Sequence, residues 1–214
     1  MKFLTIFTPT YNRGYILGKL YNSLLKQSNK NFLWLIIDDG SIDETELIVK
    51  QWIEENRIEI QYYRQKNNGK SYAHNVAVEK TYTELFTCVD SDDHLTEDAV
   101  ESIYNIWKNK KQEYVGILAY RKNIIEQQNG YTTTGLQEKI VSTTLLNAYE
   151  KYGMKGETML IYKSNILKKY YFPKFQGEKF VTEGWLYDQI DKEGELLILR
   201  KYLYCGEYLS DGYT

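Results

Sequence analysis

Asp90 and Asp92 stand two residues apart in the run Asp90-Ser91-Asp92-Asp93-His94, directly after an apolar stretch. At a strand end, side chains two apart point the same way. Two carboxylates held about 5 Å apart at an effective dielectric near 20 repel by roughly 3 kcal/mol, so the arrangement is tolerated where a cation or solvent relieves it. Hard oxygen ligands with few other groups nearby suit Mg²⁺ or Mn²⁺, above all where substrate phosphates complete the shell. Such an ion could neutralise a departing diphosphate. The rival reading is a solvated turn that caps the helix beginning near Thr96. A calcium loop of the EF-hand kind fits less well, because it needs Asp or Asn at position 94 and Gly at 95, where the chain has His94 and Leu95.

A second acidic loop, Asp38-Asp39-Gly40-Ser41, also follows an apolar run. A carboxylate there could accept from the imide N–H of a uracil or from ribose hydroxyls, as an acidic residue does in dinucleotide sites. A tight turn followed by a helix cap would use Gly40 and Ser41 equally well. A third loop, Asn67-Asn68-Gly69-Lys70-Ser71, has the Gly-Lys-Ser of a phosphate-binding loop. That pattern requires a glycine five residues before Gly69, and Arg64 stands there, so the match fails at the residue that lets the backbone wrap a phosphate. Lys70 and Arg64 could still meet a diphosphate as point charges, and solvent exposure is the plain alternative for Lys70. His94 reads as a turn residue and His74 as a packed or exposed helix residue, neither belonging to a nucleophile triad.

Positioning these loops requires strands that end at one edge. Residues 3–8, 33–37, 58–63, 84–89 and 114–119 read as strands, several of them apolar throughout, as strands buried on both faces are. Between them Ile16, Leu17, Leu20, Leu24 and Leu25 recur at helical spacing, as do Ile48, Trp52 and Ile53, then Val100, Ile103, Tyr104 and Trp107. Ala73, Val76 and Ala77 mark a further helix. Ser41-Ile42-Asp43-Glu44 has the capping-box pattern, and Thr96 followed by Glu97 and Asp98 marks another helix start. This alternation predicts an α/β fold with a Rossmann-like, mostly parallel sheet flanked by helices. Ligands in such sheets sit beyond the carboxyl ends of the strands. From about Tyr120 the rhythm weakens, with scattered glycines and the aromatic cluster Tyr170-Tyr171-Phe172-Pro173. This part reads as an irregular continuation that covers one side of the sheet and shapes a second binding surface.

The chain has 214 residues, and 27 Lys+Arg against 29 Asp+Glu leave a net charge of -2. One domain of this size buries enough surface to need neither disulfides nor a structural metal. Near-zero charge argues against a non-specific nucleic-acid binder, whose affinity would come from cations meeting phosphates, and leaves room only for a local basic patch. With 43% hydrophobic residues and no run near 18 apolar residues, no membrane span is expected. The opening Lys2-Phe3-Leu4-Thr5-Ile6-Phe7 gives way at once to polar residues, unlike a secretory leader. Together with Cys88 and Cys205, which form no ligand cluster, this predicts a cytoplasmic protein with reduced thiols. The 21 tyrosines accompany plentiful Lys, Asn and Ile, as A/T-rich coding would produce, and carry no sugar-stacking argument by themselves.

Thr8-Pro9-Thr10-Tyr11-Asn12, Asp38-Asp39-Gly40-Ser41, the Gly69-Lys70 segment with Ala73 and Asn75, and Val89-Asp90-Ser91-Asp92-Asp93 occur in an order and spacing that resembles family 2 glycosyltransferases. The resemblance is strong over residues 1–110. It implies a GT-A fold, a single domain over 1–214 with a nucleotide-sugar-binding half (1–110) and an acceptor-side half (111–214), and inverting transfer with Mn²⁺ or Mg²⁺. It implies further that Thr8, Pro9, Tyr11 and neighbouring backbone hold the nucleoside and that Asp39 reads the base, UDP being the expected nucleotide. Lys70 would lie near the base or diphosphate, Asp92 and Asp90 at the metal, Asp90 and Asp93 beside the donor. Downstream, 175–184 resembles the segment of related enzymes that supplies the catalytic base. An inverting transfer needs a carboxylate within reach of the acceptor hydroxyl, and Glu183 is the candidate. The family often has Glu-Asp there, whereas this chain has Glu183-Gly184, which leaves Asp188 and Glu178 as rivals. Glu157 and Trp185 are acceptor-side candidates. The implied acceptor is a glycan or lipid-linked glycan, which could bring the protein to the inner face of a membrane without an anchor. The rival functions are a non-catalytic nucleotide- or carbohydrate-binding module and a phosphotransferase of the P-loop kind.

Overall fold

Alternating apolar strands and amphipathic helices fold as their periodicities require. The computed structural model describes residues 2–124, 132–174 and 181–206. The chain runs β1 (Leu4–Thr10), α1 (Gly14–Leu25), β2 (Phe32–Asp38), α2 (Thr45–Glu55), β3 (Ile60–Arg64), α3 (Lys70–Lys80), β4 (Leu85–Cys88), β5 (His94–Leu95) and α4 (Ala99–Lys108). It continues through β6 (Gly116–Asn123), β7 (Ser142–Thr143), α5 (Leu145–Glu150), β8 (Thr158–Lys163), α6 (Ser164–Leu167), α7 (Glu183–Ile190) and β9 (Leu196–Gly206).

The strands form one mixed sheet in the order β3-β2-β1-β4-β8-β6-β9-β5, with β7 on β9. The first four are mutually parallel. β8 runs antiparallel to both β4 and β6, so β6 points the same way as β4, and β9 pairs parallel with β6. The chain winds outward from β1 to β3 and then returns to place β4 on the other side of β1. That reversal is a topological switch point, where a crevice opens beyond the strand ends.

Every residue of β2 is buried, and its two faces feed two cores. Phe32, Trp34 and Ile36 pack with Leu17, Leu20, Leu24, Val49, Val100, Ile103 and Trp107 from α1, α2 and α4. Leu33, Leu35 and Ile37 pack with Ala73, Ala77 and Val78 of α3 and Leu186 and Ile190 of α7. This period-2 division explains why the strand reads as a continuous apolar run. Full burial of each such side chain contributes about 1.5–3 kcal/mol.

The second half departs from the expectation of an irregular cover, because β6 to β9 extend the sheet itself. Its rhythm is obscured by bulges: Ala119, Tyr120 and Arg121 of β6 pair with Leu199, Tyr202 and Tyr204, so β9 carries extra residues opposite consecutive β6 positions. A bulged strand breaks the period-2 pattern a reader of sequence depends on. His94 likewise lies on β5, paired with Cys205, rather than in a turn.

Two caps differ from expectation. Ser41 does not cap α2; its hydroxyl accepts from Asn12 N at 2.8 Å. Asp43 takes that work, accepting from Thr45 N and from Gly14 N, so one carboxylate serves the starts of α1 and α2. For α4 the N-cap is Asp98 rather than Thr96, whose hydroxyl donates to the Asp98 carboxylate.

Candidate active site

The carboxyl ends of β1, β2 and β4 line one edge of the sheet. β1 carries Thr8 to Thr10 there, and Thr10 pairs with Asp38. Pro9 is tolerated in this central strand because β4 pairs with β1 only as far as Phe7, so the missing N–H costs no ladder bond. Thr8 is fully buried and its hydroxyl accepts from the Trp34 indole at 3.0 Å, which commits that side chain to the core rather than to a ligand. Tyr11, 43% exposed, stands at the rim of this edge.

The two aspartates after β2 hold loops. Asp38 accepts from Ser41 N at 2.7 Å, Gly40 N at 3.1 Å and the Tyr62 hydroxyl at 2.5 Å. Asp39 accepts from Gln65 Nε2 at 2.8 Å, Asn68 N at 2.9 Å and Gly69 N at 2.7 Å. A carboxylate has about four acceptor directions, so three bonds leave Asp39 room for one further donor. The N–H groups of Asn68 and Gly69 are those a phosphate-binding loop would need at the start of α3, and here they are given to Asp39. This geometry removes the basis for a P-loop.

Gly69 has φ 92°, a conformation that favours glycine, and it turns the chain into α3 so that Lys70 projects across the crevice. The Lys70 ammonium lies 2.9 Å from Asp90 Oδ1 and 3.2 Å from Glu183 Oε1. Desolvation disfavours its charge, but Asp90 and Glu183 outweigh that and hold it protonated well above the ordinary lysine range. Asp39 and Asp90 are therefore linked through the adjacent residues Gly69 and Lys70.

Burial pushes the Asp92 carboxyl up, Asp90 adds to the rise, and Arg13 and Lys70 counter it. Asp93 is 3% exposed, and its carboxyl is pushed up to about 7 by burial and by Asp90, against Tyr204 and Arg121. The Tyr204 hydroxyl donates to Asp93 at 2.6 Å and accepts from Asp90 N at 3.1 Å, which fixes the acidic loop from beneath. Arg121 lies 3.6 Å from the same Asp93 oxygen and forms an ion pair with Glu157. Glu157, immediately before β8, is thus tied to the loop after β4.

Glu183 begins α7, and its carboxylate also accepts from Tyr187 at 3.3 Å, one helical turn on. Asp188 lies five residues along α7, about 140° round the helix axis, and so faces away from Lys70. Glu178 falls outside the described residues. Trp185, two residues further along α7, is 40% exposed.

Arg121 and Tyr204 were not singled out by sequence. β6 and β9 point the same way as β4, so the rule that selected Asp90 applies to them once they are recognised as strands, but the bulges between them hide that pattern in the sequence. As for a metal, Asp90 and Asp92 supply hard carboxylate oxygens, and the described residues contain no group of three or more His, Cys, Asp or Glu side chains able to cage an ion. That donor set fits Mg²⁺ or Mn²⁺ held by one or two carboxylates, water and substrate phosphates.

The fold and crevice define a GT-A-type α/β domain with acidic loops at its switch point. The sequence profile of glycosyl transferase family 2 matches residues 5–171, and the chain belongs to that family. Glycosyltransferase GlyA of Streptococcus pneumoniae is 29% identical over 216 residues, covering 94% of this chain and 30% of that protein. Poly(ribitol-phosphate) beta-N-acetylglucosaminyltransferase TarS of Staphylococcus aureus is 26% identical over 228 residues, covering all of this chain and 38% of that protein. The chain thus spans about a third of the length of these curated relatives. The crystal structure of S. aureus TarS 1-349 in complex with UDP-GlcNAc matches with TM-score 0.77 at 23% identity, over 100% of this chain and 62% of that one. The mannosyltransferase PcManGT of Pyrobaculum calidifontis, in complex with GDP-Man and Mn²⁺, matches with TM-score 0.66 at 15% identity, over 98% and 58%. Both share this fold. Among the described residues no helix is long and apolar enough to cross a membrane.

Proposed function

We propose that this chain moves a sugar from a nucleotide diphosphate, UDP being the expected carrier, to a hydroxyl of a glycan or lipid-linked glycan by single displacement with inversion. The observation that carries this reading is the Lys70 ammonium between Asp90 and Glu183, which sets a donor-side carboxylate and a candidate base against one cation. In this reading residues 1–110 bind the donor and 111–214 supply the acceptor side. The name of TarS, whose structure holds UDP-GlcNAc, supports a nucleotide-sugar donor.

Each residue acts through the contact it makes. Asp39 shapes the nucleoside end by fixing the 65–69 loop and keeps one acceptor direction for the base. Pro9 and Tyr11 line the same end. Asp92, with Asp90, would hold Mn²⁺ or Mg²⁺, which when bound would neutralise charge on the departing diphosphate. Lys70 supplies a fixed positive charge beside that group. Asp93 borders the donor sugar by its backbone, since its carboxylate is buried against Tyr204 and Arg121. Glu183, half-exposed at the start of α7, accepts the proton of the acceptor hydroxyl as the new bond forms. Trp185 offers an apolar face for the acceptor.

Calorimetry with UDP, with and without Mn²⁺, tests this reading. UDP binding that strengthens with Mn²⁺ and loses that gain in Asp92→Asn is the expected result. UDP affinity indifferent to both chelator and Asp92→Asn removes the metal assignment. Binding with no turnover of any UDP-sugar would leave a non-catalytic module.

A further inference from the structure

Arg121 is an unusual cation for a strand interior. Its side chain is 11% exposed, against 4% for Asp93 and 38% for Glu157, the two carboxylates it meets. Its guanidinium also lies over the Tyr204 ring, 5.3 Å from the centroid. The register shifts on both sides of Tyr120 re-aim the end of β6 and bring Arg121 opposite Tyr204. Gly206 completes the seat. A Cβ there would lie 2.3 Å from Arg121 Nη2, 2.8 Å from Nε and 2.6 Å from Asp93 Oδ1, so the close approach of the strand depends on the absence of a side chain. Three elements thus converge on one guanidinium: the loop after β4, the start of β8 and the end of β9.

A point charge could neutralise either carboxylate. Only a planar fork with donors on separate edges can hold two carboxylates in a fixed relative position. One of them lies in the donor-side loop and is buried. The other is more than one-third exposed and so can be reached by a ligand.

We propose that Arg121 is a positioning residue that sets the distance between the acidic loop of Asp90, Asp92 and Asp93, on which the donor lies, and an acceptor hydroxyl at Glu157. This rests on the glycosyl-transfer reading above. Arg121 touches neither reactant; through the buried Asp93 it holds the acidic loop, and through Glu157 it holds the carboxylate that an acceptor can reach. A misplacement of about 1 Å in such a relation costs about 10²-fold in rate, so the pair Arg121 and Glu157 acts as a unit whose losses do not multiply.

The test compares Arg121→Lys, Arg121→Gln, Glu157→Gln and the double variant Arg121→Gln/Glu157→Gln in the full chain. Three quantities are read: melting temperature, UDP affinity with Mn²⁺, and turnover of UDP-N-acetylglucosamine, UDP-glucose or UDP-galactose, whichever the unsubstituted chain consumes. Arg121→Lys keeps the charge and is expected to keep UDP affinity within about twofold while turnover falls at least about 30-fold, chiefly in kcat. The double variant is expected to be no slower than the worse single one. Turnover in Arg121→Lys within threefold of the unsubstituted chain would show that charge alone suffices and overturn the proposal. Losses that multiply in the double variant would also overturn it, as would an Arg121→Lys defect explained by a parallel loss of UDP binding. Absence of UDP binding or of turnover in the unsubstituted chain would instead defeat the functional reading and this inference with it.

Discussion

The Lys70 ammonium lies 3.2 Å from the Glu183 carboxylate, joining the start of α3 to the start of α7. The contact crosses between the two halves of the chain that the proposed function assigns to donor and acceptor, and it puts a positive charge next to the candidate base. Half of the Glu183 side chain and 42% of Lys70 are exposed, so solvent screens the pair and it contributes little to stability, about 0–1 kcal/mol. Its consequence is for the charge pattern of the crevice. Lys70→Met should shift the melting temperature by only a few degrees and lower turnover by about 10²-fold, the usual loss when one preorganised electrostatic group is removed. Scanning calorimetry and initial rates on the same preparation check both halves. A large drop in melting temperature with turnover preserved would contradict the assignment.

Asp39 should behave in the opposite manner. Its three bonds to Gln65, Asn68 and Gly69 are charge-assisted, and two come from buried or half-buried backbone N–H groups. Asparagine keeps one acceptor oxygen and turns a donor toward one of those N–H groups. Asp39→Asn should therefore cost about 2–3 kcal/mol of stability, read by urea unfolding, together with a loss of UDP affinity. A variant that lost UDP binding with unchanged stability would show that reading the base, rather than holding the loop, is what Asp39 chiefly does.

These two residues also show how much was legible beforehand. The strands and helices of residues 1–110 appear within a few positions of where apolar runs and helical spacing place them, because β1, β2 and β4 are short, central and almost wholly buried. The rule that parallel strands present ligands at their carboxyl ends found Asp39, Lys70, Asp90 and Asp92. It could not show that Asp39 is already engaged by backbone N–H groups, since hydrogen bonds to a loop leave no mark in residue type. Thr8 carried no sign of its bond to Trp34, a partner on a neighbouring strand. Past Tyr120 the pattern fails for a stated reason. The bulges opposite Tyr120 and Arg121 destroy alternation, and β8 approaches the site by its beginning rather than its end. Arg121, Tyr204 and Glu157 gather only through that mixed pairing.

His74 gives a prediction about pH. Its ring meets Phe7, Phe86 and Phe172 edge-on at centroid distances of 5.8, 5.4 and 5.2 Å, and its Nδ1 is buried without a hydrogen-bond partner among the described residues. Burial, with the Lys70 charge adding, lowers its pKa to about 3. The unfolded chain binds this proton near pH 6.5, so the fold excludes a proton that the unfolded state accepts. The contribution is complete above about pH 6.5 and is lost as pH falls toward about 3, by up to roughly 1.4 kcal/mol per pH unit. Urea unfolding of the native sequence and of His74→Leu at several pH values isolates it. The stability gap between them should move in favour of His74→Leu as pH falls, and a gap independent of pH would contradict the argument.

Gly206→Ala tests the seat of Arg121 from outside the charged cluster. Glycine is needed there for space: a methyl group would lie 2.3 Å from Arg121 Nη2 and 2.6 Å from Asp93 Oδ1, well inside van der Waals contact. Arg121 is held by Asp93, Glu157 and the Tyr204 ring, so it can yield only by breaking one of those contacts or by moving the end of β9. Overpacking of this kind costs about 1–3 kcal/mol. The displaced guanidinium should also carry Asp93 and Glu157 with it, so turnover should fall by more than the stability loss explains at a temperature where the variant remains folded. UDP binding, which the proposed function assigns to Asp39 and the 65–69 loop, should survive within about twofold, a change of about 0.4 kcal/mol. A Gly206→Ala protein with native turnover would show that β9 moves aside freely and that the close seat of Arg121 is not needed.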